Sequence, residues 1–543
     1  MNSLVIVSVT GLLFWAGYFF FARKITAVFA PDKDRQTPAK ARYDGIDYVP
    51  AKHWTILFGH HFSSIAGAAP IIGPVLAVSI WGWAPALLWV VLGSIFAGGV
   101  HDYCSLMISV RHGGRSVADI SGDTISRSAK LIFLSFAWIT LILVISVFTH
   151  LCAKTLVLSP EIVLPSIGLV PLSMLMGFLL YSKRFFNRYN QAGVTLLGLA
   201  ALAALMVLGF KMPLSLGLSE PVHAWSVILL IYAYFASIMP VQILLQPRDY
   251  LSAFLLLAGL FFGYIGLITR APNIAFPAFT GFKACTTNML WPVLFVTVAC
   301  GAISGFHSLV ASGTTSKQLD NEVNAKKIGY GGMIAEGVLA VLALLIVATV
   351  YSRSADLSSV VNGPGGPVHA FGVAYGRMTE RFLGSYGSAF AVLILNAFIF
   401  TTLDTATRIA RYLTQELFHL DNRYLATLLV VALSGWLGIS GEWNSIWPVF
   451  GAANQLIAAF TLIAVTSYLL YLKKPVVYTM APAVFMLITS AVALFLKIIE
   501  YFKSGNILLA FIALILLSLA FVVFYEAAAV WAGNYRRRHN VIA

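Results

Sequence analysis

The stretch HHFSSIAGAAPIIGP, residues 60–74, lies within an apolar run of membrane-spanning length, 55–80. Gly67, Pro70, Gly73 and Pro74 crowd into eight positions of that run. Proline removes a backbone donor and collides with the preceding turn, and glycine weakens helical order. Backbone freed at membrane depth persists only where protein or a water-filled cavity satisfies it. The stretch therefore reads as an interrupted helix that faces a cavity rather than lipid, with two histidines just before the break.

The rest of the chain sets that break in a membrane. Hydrophobic residues make up 59% and charged residues 10% of 543. Apolar runs recur near 4–22, 55–80, 84–110, 131–156, 165–181, 190–210, 222–246, 249–270, 289–311, 331–351, 384–407, 423–440, 446–471, 475–499 and 506–531. The expectation is an all-α integral membrane protein of about 15 transmembrane helices. Short alternating strands, the mark of a membrane β-barrel, are not the pattern here. Residues 4–22 are too long for a signal-peptide core and have no basic residues before them, so they read as a retained helix. The formal net charge of +14 follows from Lys and Arg gathered on every second connection, not from a nucleic-acid surface. By the positive-inside rule the N-terminus lies outside and the C-terminus in the cytoplasm. The four cysteines are scattered with no CxxC pair, so neither a disulfide framework nor a zinc knuckle is indicated. Residues 352–383, with NGPGGP, read as an outer cap or a long connection.

A second stretch, SIMPVQILLQPRDY (237–250), places Pro240 and Pro247 around Gln242 and Gln246. Counted from run 55–80 as the first, run 222–246 is the sixth. An offset of five spans inverts the topology, and two interrupted helices so related are the layout of an inverted-repeat transporter with its site near the midplane. The expected organisation is an extra N-terminal helix and basic linker (1–54), a first five-helix repeat (55–210), a second (211–416) and four further helices (417–543). Substrate would contact the breaks through Ser63, Ser64, Gly67, Ala68, Gly73, Gln242 and Gln246.

Ionisable groups inside the spans are functional candidates because burying them in lipid is costly. His61, His101, Asp102, Ser304, His307, Ser308 and Asp404 are candidates for ion or proton coupling. His60, His61, His101 and Asp102 also form a possible zinc set, although no HxxxH or HExxH spacing is present. Along NAFIFTTLDTATRIARYLTQE (396–416), Thr401, Asp404, Thr405 and Arg408 make one helical stripe. Asp404 and Arg408 are placed to pair at i, i+4 as a gate, or to lock the helix end. Glu336 carries the same ambiguity. Asn454 and Gln455 read as glue between helices outside the ten-helix core. Arg248 would attract a carboxylate or anchor its helix at the inner interface.

The pieces YDGIDYVP, FGHHFSSIAGAAPIIGPVLA, AGGVHDY, MPVQILLQPRDYL, SGTTSKQLDNE, IGYGGMIAEG and TTLDTATRIARY, in order from residue 43 to 412, together resemble the carbon starvation protein A family. That family is similar to the amino acid–polyamine–cation superfamily, which implies a LeuT-like core of five plus five helices. The resemblance implies uptake of peptides or pyruvate across the bacterial cytoplasmic membrane, proton-coupled, by alternating access. It names no site residues. The competing readings are an intramembrane metal-dependent enzyme built on the histidines, a channel, and a sensor. No pore motif or charge ring favours a channel. No GxxxxGK[ST] loop is present, so direct drive by ATP is not indicated. No organic cofactor is expected; the coupling ion is H+ or Na+, bound metal is not expected, and the partners are a small-molecule or peptide substrate and the lipid bilayer. The oligomeric state is left open.

Overall fold

A computed structural model describes residues 1–181, 183–282, 289–439 and 443–539, with side chains left aside at 181–191, 439–445 and 533–543. Cys285 and the charged groups of the 183–188 loop and the C-terminal tail fall outside the described side chains. Among the described residues there is no β-strand, only an isolated bridge between Asn2 and Asn273.

The chain opens with α1 (Ser3–Phe29) and a linker, 30–53, along the basic end of the helices. The quoted stretch then forms α2 (Trp54–Ala66) and α3 (Ala69–Trp81), parted at Gly67. Gly67 has φ +48° and ψ −155°, a conformation open to glycine and strained for other residues. Pro70 sits in the first turn of α3, where its missing donor costs nothing. Next come α4 (Trp83–Arg111), the short α5 (Val117–Thr124), α6 (Arg127–Leu158) and the hairpin α7 (Val163–Tyr181) and α8 (Lys183–Lys211). α9 (Pro221–Ile238) and α10 (Leu245–Arg270) follow.

The second interrupted span differs from expectation. Residues 239–244 are a turn joining two separate helices, not a break within one. Pro240 follows the end of α9, and Pro247 lies in the first turn of α10, where helix donors are unpaired in any case. The span that is interrupted is 290–313. Helical turns at 290–297 (α11) give way at Val298, and α12 (Gly305–Gly313) resumes after residues 298–304. The edge of this break lies directly against α3, the second half of the first interrupted helix: a Cβ on Gly73 would come within 2.5 Å of the Thr297 carbonyl oxygen. Only glycine permits that approach.

The chain continues through α13 (Gly331–Val350), the cap helices α14 (Ser354–Val361) and α15 (Gly366–Leu383), and α16 (Gly387–Phe418). It ends with α17 (Arg423–Ile439), α18 (Trp443–Tyr471), α19 (Val477–Ser504) and α20 (Ile507–His539). Thirteen helices among the described residues are long and apolar enough to cross a membrane. The two remaining expected spans are the interrupted 290–313 and the shorter apolar helix Arg423–Gly438.

Packing explains which elements are central. α6 and α16, each 32 residues long, pack against each other through the middle of the bundle. α2 lies on α10, α3 on α13, α12 on both α4 and α18, and α9 on α17. The outward faces carry Leu12, Phe20, Phe178, Leu196, Phe261 and Phe521, all largely exposed. Apolar side chains outside and ionisable ones inside are what lipid as solvent demands. The best apolar window of α18 is 100% buried, so Asn454 belongs to the core and not to a peripheral helix.

Candidate functional site

Two buried polar chains run below the breaks, towards the basic end. The first is centred on Arg248 and Asp249 in α10. Asp249 Oδ2 accepts from His60 Nδ1 at 2.6 Å, and Asp249 Oδ1 accepts from Arg248 at 2.8 Å. Arg248 turns its other nitrogen to Asp404 of α16 and to the Tyr232 hydroxyl, 2.5 Å away. Tyr232 in turn donates to Asp404 at 2.7 Å. On the far side, Gln318 Nε2 donates to His60 Nε2 at 3.2 Å, and Gln246 donates to Gln318 Oε1 at 2.6 Å. A ring that donates through Nδ1 and accepts through Nε2 is neutral. One guanidinium and two carboxylates then leave this cluster with one net negative charge.

The second chain joins α4, α12 and α13. Asp102 accepts from His101 Nδ1 at 2.8 Å and from His307 Nδ1 at 2.9 Å. His307 Nε2 lies 3.2 Å from Glu336 Oε2, but the angle is too poor for a hydrogen bond, so the contact is electrostatic. His61 stands nearby, with Nδ1 2.9 Å from Thr315 Oγ1. All these side chains are fully buried. His61 Nε2, His101 Nε2, Glu336 Oε1 and Asp404 Oδ1 have no protein partner. Unpaired buried polar atoms cost about 1–3 kcal/mol each, so these four leave the region with open hydrogen-bonding positions.

The expected residues separate into three groups. Ser64 and Gly67 meet α16 at the break: Ser64 Oγ is 3.2 Å from Thr405 Oγ1, and Thr402 Oγ1 donates to the Ser64 carbonyl at 3.3 Å. Ser63 donates to the Asp249 carbonyl at 2.9 Å, and Ala68 is buried. Ser304 and Ser308 face α18 instead, through Asn454 and Thr461. Asn454 Oδ1 also accepts from Phe306 N at 2.7 Å, capping α12 at its restart. Gln242 and Gln246 are not at a break; they hold the linker through Gly45 O and Val49 O. The i, i+4 pair Asp404–Arg408 does not form, because both have partners on other elements. Arg408 donates to Asp47 of the linker at 2.8 Å and to the carbonyls that end α9. His60, His61, His101 and Asp102 do not converge, since His60 turns to Asp249 and His61 to Thr315. Among the described residues no three His, Cys, Asp or Glu side chains are arranged to hold a metal ion.

Asp249, Tyr232, Thr315 and Gln318 escape sequence reasoning, as does the pairing of Arg248 with two carboxylates of the chain itself. Arg248 and Asp249 adjoin a turn, and depth in the membrane is not written in such a position. The signal present was the adjacency of opposite charges in QPRDY, next to a helix start.

At the opposite end an open cleft of about 620 Å³ reaches Thr297, the last residue before the second break, and is lined also by Leu76, Val296, Gly366, Trp447 and Lys497. A second cavity of about 410 Å³ adjoins it under the cap helices, and Lys154 lines both. Of the segment 352–383, residues 359–369 line these two openings. At the basic end the linker lies across the Arg408–Arg411 face of α16. Asp47 is held by Arg408 and by Arg411, the latter at 3.2 Å. Burial alone would raise the Asp47 carboxyl, but Arg408, Arg411 and Lys317 hold it down at about 2. Burial lowers the Lys317 ammonium to about 8 against the pull of Asp47.

Comparison with known proteins bears on what such a site serves. The family model described as carbon starvation protein CstA matches residues 2–364 and 350–493. A relative in Mycobacterium tuberculosis, named peptide transporter CstA, is 34% identical over 86% of this chain and 71% of its own length. The peptide transporter CstA of Campylobacter jejuni is 29% identical over 93% of this chain and 82% of its own. The pyruvate/proton symporter BtsT of Escherichia coli is 30% identical over 91% and 81%. Among solved structures, a manganese transporter mutant of Eremococcus coleocola aligns at TM-score 0.47 and 13% identity over 90% of this chain and 99% of that one, too distant to support an inference. The relatives are transporters rather than enzymes, and the apolar helices make this a multi-pass inner-membrane protein. With the family model spanning most of its length, the chain belongs to the carbon starvation protein CstA family of membrane transporters.

Proposed function

We propose that the chain is a proton-coupled secondary transporter for pyruvate or peptides, working by alternating access around the breaks at 67–68 and 298–304. The observation that carries this reading is the packing of α3 against the edge of the second break at Thr297, with a cleft reaching that edge from one end and a charged network at the other. A break frees backbone amides, and freed amides at a helix start bind carboxylates.

The packing supports an inverted repeat with boundaries other than 55–210 and 211–416. α2–α3, α4, α6, α9 and α10 would form one half; α11–α12, α13, α16, α17 and α18 would form the other. Each half starts with an interrupted helix and has a 32-residue helix as its third span. α2 leans on the last helix of its half, α10, as α12 leans on the last of its own, α18. The hairpin α7–α8 would be an insertion into the first half. The N-terminus would lie outside and the C-terminus in the cytoplasm, with the cleft facing outward.

Proton coupling is supported by the charge count. The Arg248 cluster has room for one added proton, and the His101–Asp102–His307–Glu336 chain presents open heteroatoms to a second. The test is uptake into proteoliposomes of labelled pyruvate and of a dipeptide, with and without an imposed pH gradient, varying sodium separately. Accumulation driven by the pH gradient is expected. Accumulation that follows only sodium would reject the proton, and accumulation of neither solute would reject both cargoes.

A further inference from the structure

The basic end holds more positive charge than the linker lying across it neutralises. Arg408 and Arg411 are fully buried, side by side on α16, with Lys317 partly buried beside them. A single carboxylate, Asp47, makes ion pairs to both arginines, at 2.8 and 3.2 Å. The neighbouring Asp44 accepts from the amides of Ile46, Asp47 and Tyr48 and also attracts Lys317, so two carboxylates face three cations. Nε of Arg408 and Nε of Arg411 are both buried and have no hydrogen-bond partner. Two guanidinium groups with spare donors form a site for more than one carboxylate geometry, since the guanidinium fork matches a carboxylate in two directions.

The position of this group is informative. Asp404, in the central network, is followed on the same helix by Arg408 one turn on and Arg411 two turns on, so the arginines lie about 6 and 10 Å closer to the basic end. Any solute leaving the network in that direction meets them first. What stands in the way is the linker, tied by Val241 N to Ile46 O, by Gln242 to Gly45 O, and by Ala51 N to Gln318 O. These are single neutral hydrogen bonds, each of modest worth. Asp47 is the charged one among the ties.

We infer that Arg408, Arg411 and Lys317 form an exit-side binding site for the carboxylate of the transported solute, and that Asp47 is its built-in occupant. In the closed state the chain's own carboxylate fills the site and pins residues 43–50 over the mouth. An arriving carboxylate takes over the arginines, Asp47 is released, and the linker swings away. The site rests on the reading of the protein as a carrier of carboxylates, and it adds a release step and a reason for that solute class.

The test is hydrogen–deuterium exchange of residues 45–49 in the purified full-length chain, alongside uptake by the same preparation. Pyruvate and dialanine are compared with their uncharged amides. In the unaltered protein, whichever carboxylate is carried should speed exchange there by about tenfold or more, as expected when a local closed state loses its main tie. The amides should leave it unchanged. Asp47→Asn should give the fast rate with no solute present, and Asp47→Glu should return it to the slow one, which separates a lost charge from misfolding. The proposal is overturned if Asp47→Asn, still folded, exchanges at the slow rate. It is also overturned if carboxylates and amides act alike. A protein that takes up neither solute yet shows carboxylate-specific release would keep the site and sink the transport reading; normal uptake with no release would do the reverse.

Discussion

Replacing Arg248 by Gln tests how the central network is balanced. Arg248 touches both Asp249 and Asp404, and all three are buried. Without it Asp249 keeps His60, but Asp404 keeps only the Tyr232 hydroxyl. Leaving a buried charge without its partner costs about 3–5 kcal/mol. Asp404→Asn is milder, because Arg248 retains Asp249; it loses one charge-assisted hydrogen bond, about 1.5–3 kcal/mol. If the losses were independent, the double variant would fall by the sum, about 5–8 kcal/mol. The geometry says otherwise. With Asp404 neutral, one buried carboxylate, Asp249 on His60, is left without a cation when Arg248 goes, instead of two, so the double variant should be more stable than Arg248→Gln alone, with a coupling of about 2–4 kcal/mol. Melting of the four purified proteins in one detergent, followed by the monodisperse fraction after heating, supplies the ranking. Additive losses would refute the balance described. Uptake adds the functional half: Asp404→Asn should remain folded and lose coupled accumulation. Loss of the folded protein in that single variant would make the pair a structural lock.

Other outcomes follow from particular contacts. Asn454→Ala removes the acceptor of Phe306 N and should destabilise the restart of α12 by about 1–2 kcal/mol, read as a lower melting temperature. Gly73→Ala would push a Cβ into the Thr297 carbonyl at 2.5 Å and should abolish uptake, whereas Gly11→Ala, with nothing within 4 Å, should leave uptake unchanged. The Asp47 carboxyl is depressed in the folded state, so its contribution is complete above the unfolded value of about 3.9 and is lost as pH falls through about 2. The melting difference between the unaltered protein and Asp47→Asn should shrink across that window. Lys317 has the same sense in a higher window: its ammonium is depressed to about 8 when folded, so stability relative to Lys317→Met should rise from pH 8 towards about 10.4.

The first break was legible because glycine and proline together leave a helix few alternatives. The second was not, because 298–304 carries no proline and reads as a stripe of small residues; only Gly301 and Gly305 hinted at it. Pro240 and Pro247 misled for the converse reason: a proline in a first helical turn and one at a kink are the same letter. The ionisable residues were found by type, since few occur in the spans, but their partners were not. Asp404 was matched to Arg408 by helical spacing, yet a buried carboxylate takes the guanidinium that crosses from another helix if the bundle brings it closer. Asp47, in an exposed-looking linker, gave no sign that two buried arginines would claim it.

The His60–Asp249 contact spans 189 residues of chain. At about 5–20 residues per second of synthesis, the histidine waits roughly 10–40 s for its carboxylate. During that interval α2 must enter the bilayer with its polar groups unmatched, or linger at the insertion machinery until α10 arrives. The network that equips the finished protein therefore also times its birth: the inner half of the first interrupted helix can settle only after more than two-fifths of the chain has been made, and a chain cut short before Asp249 carries an unpaired polar helix that marks it as incomplete.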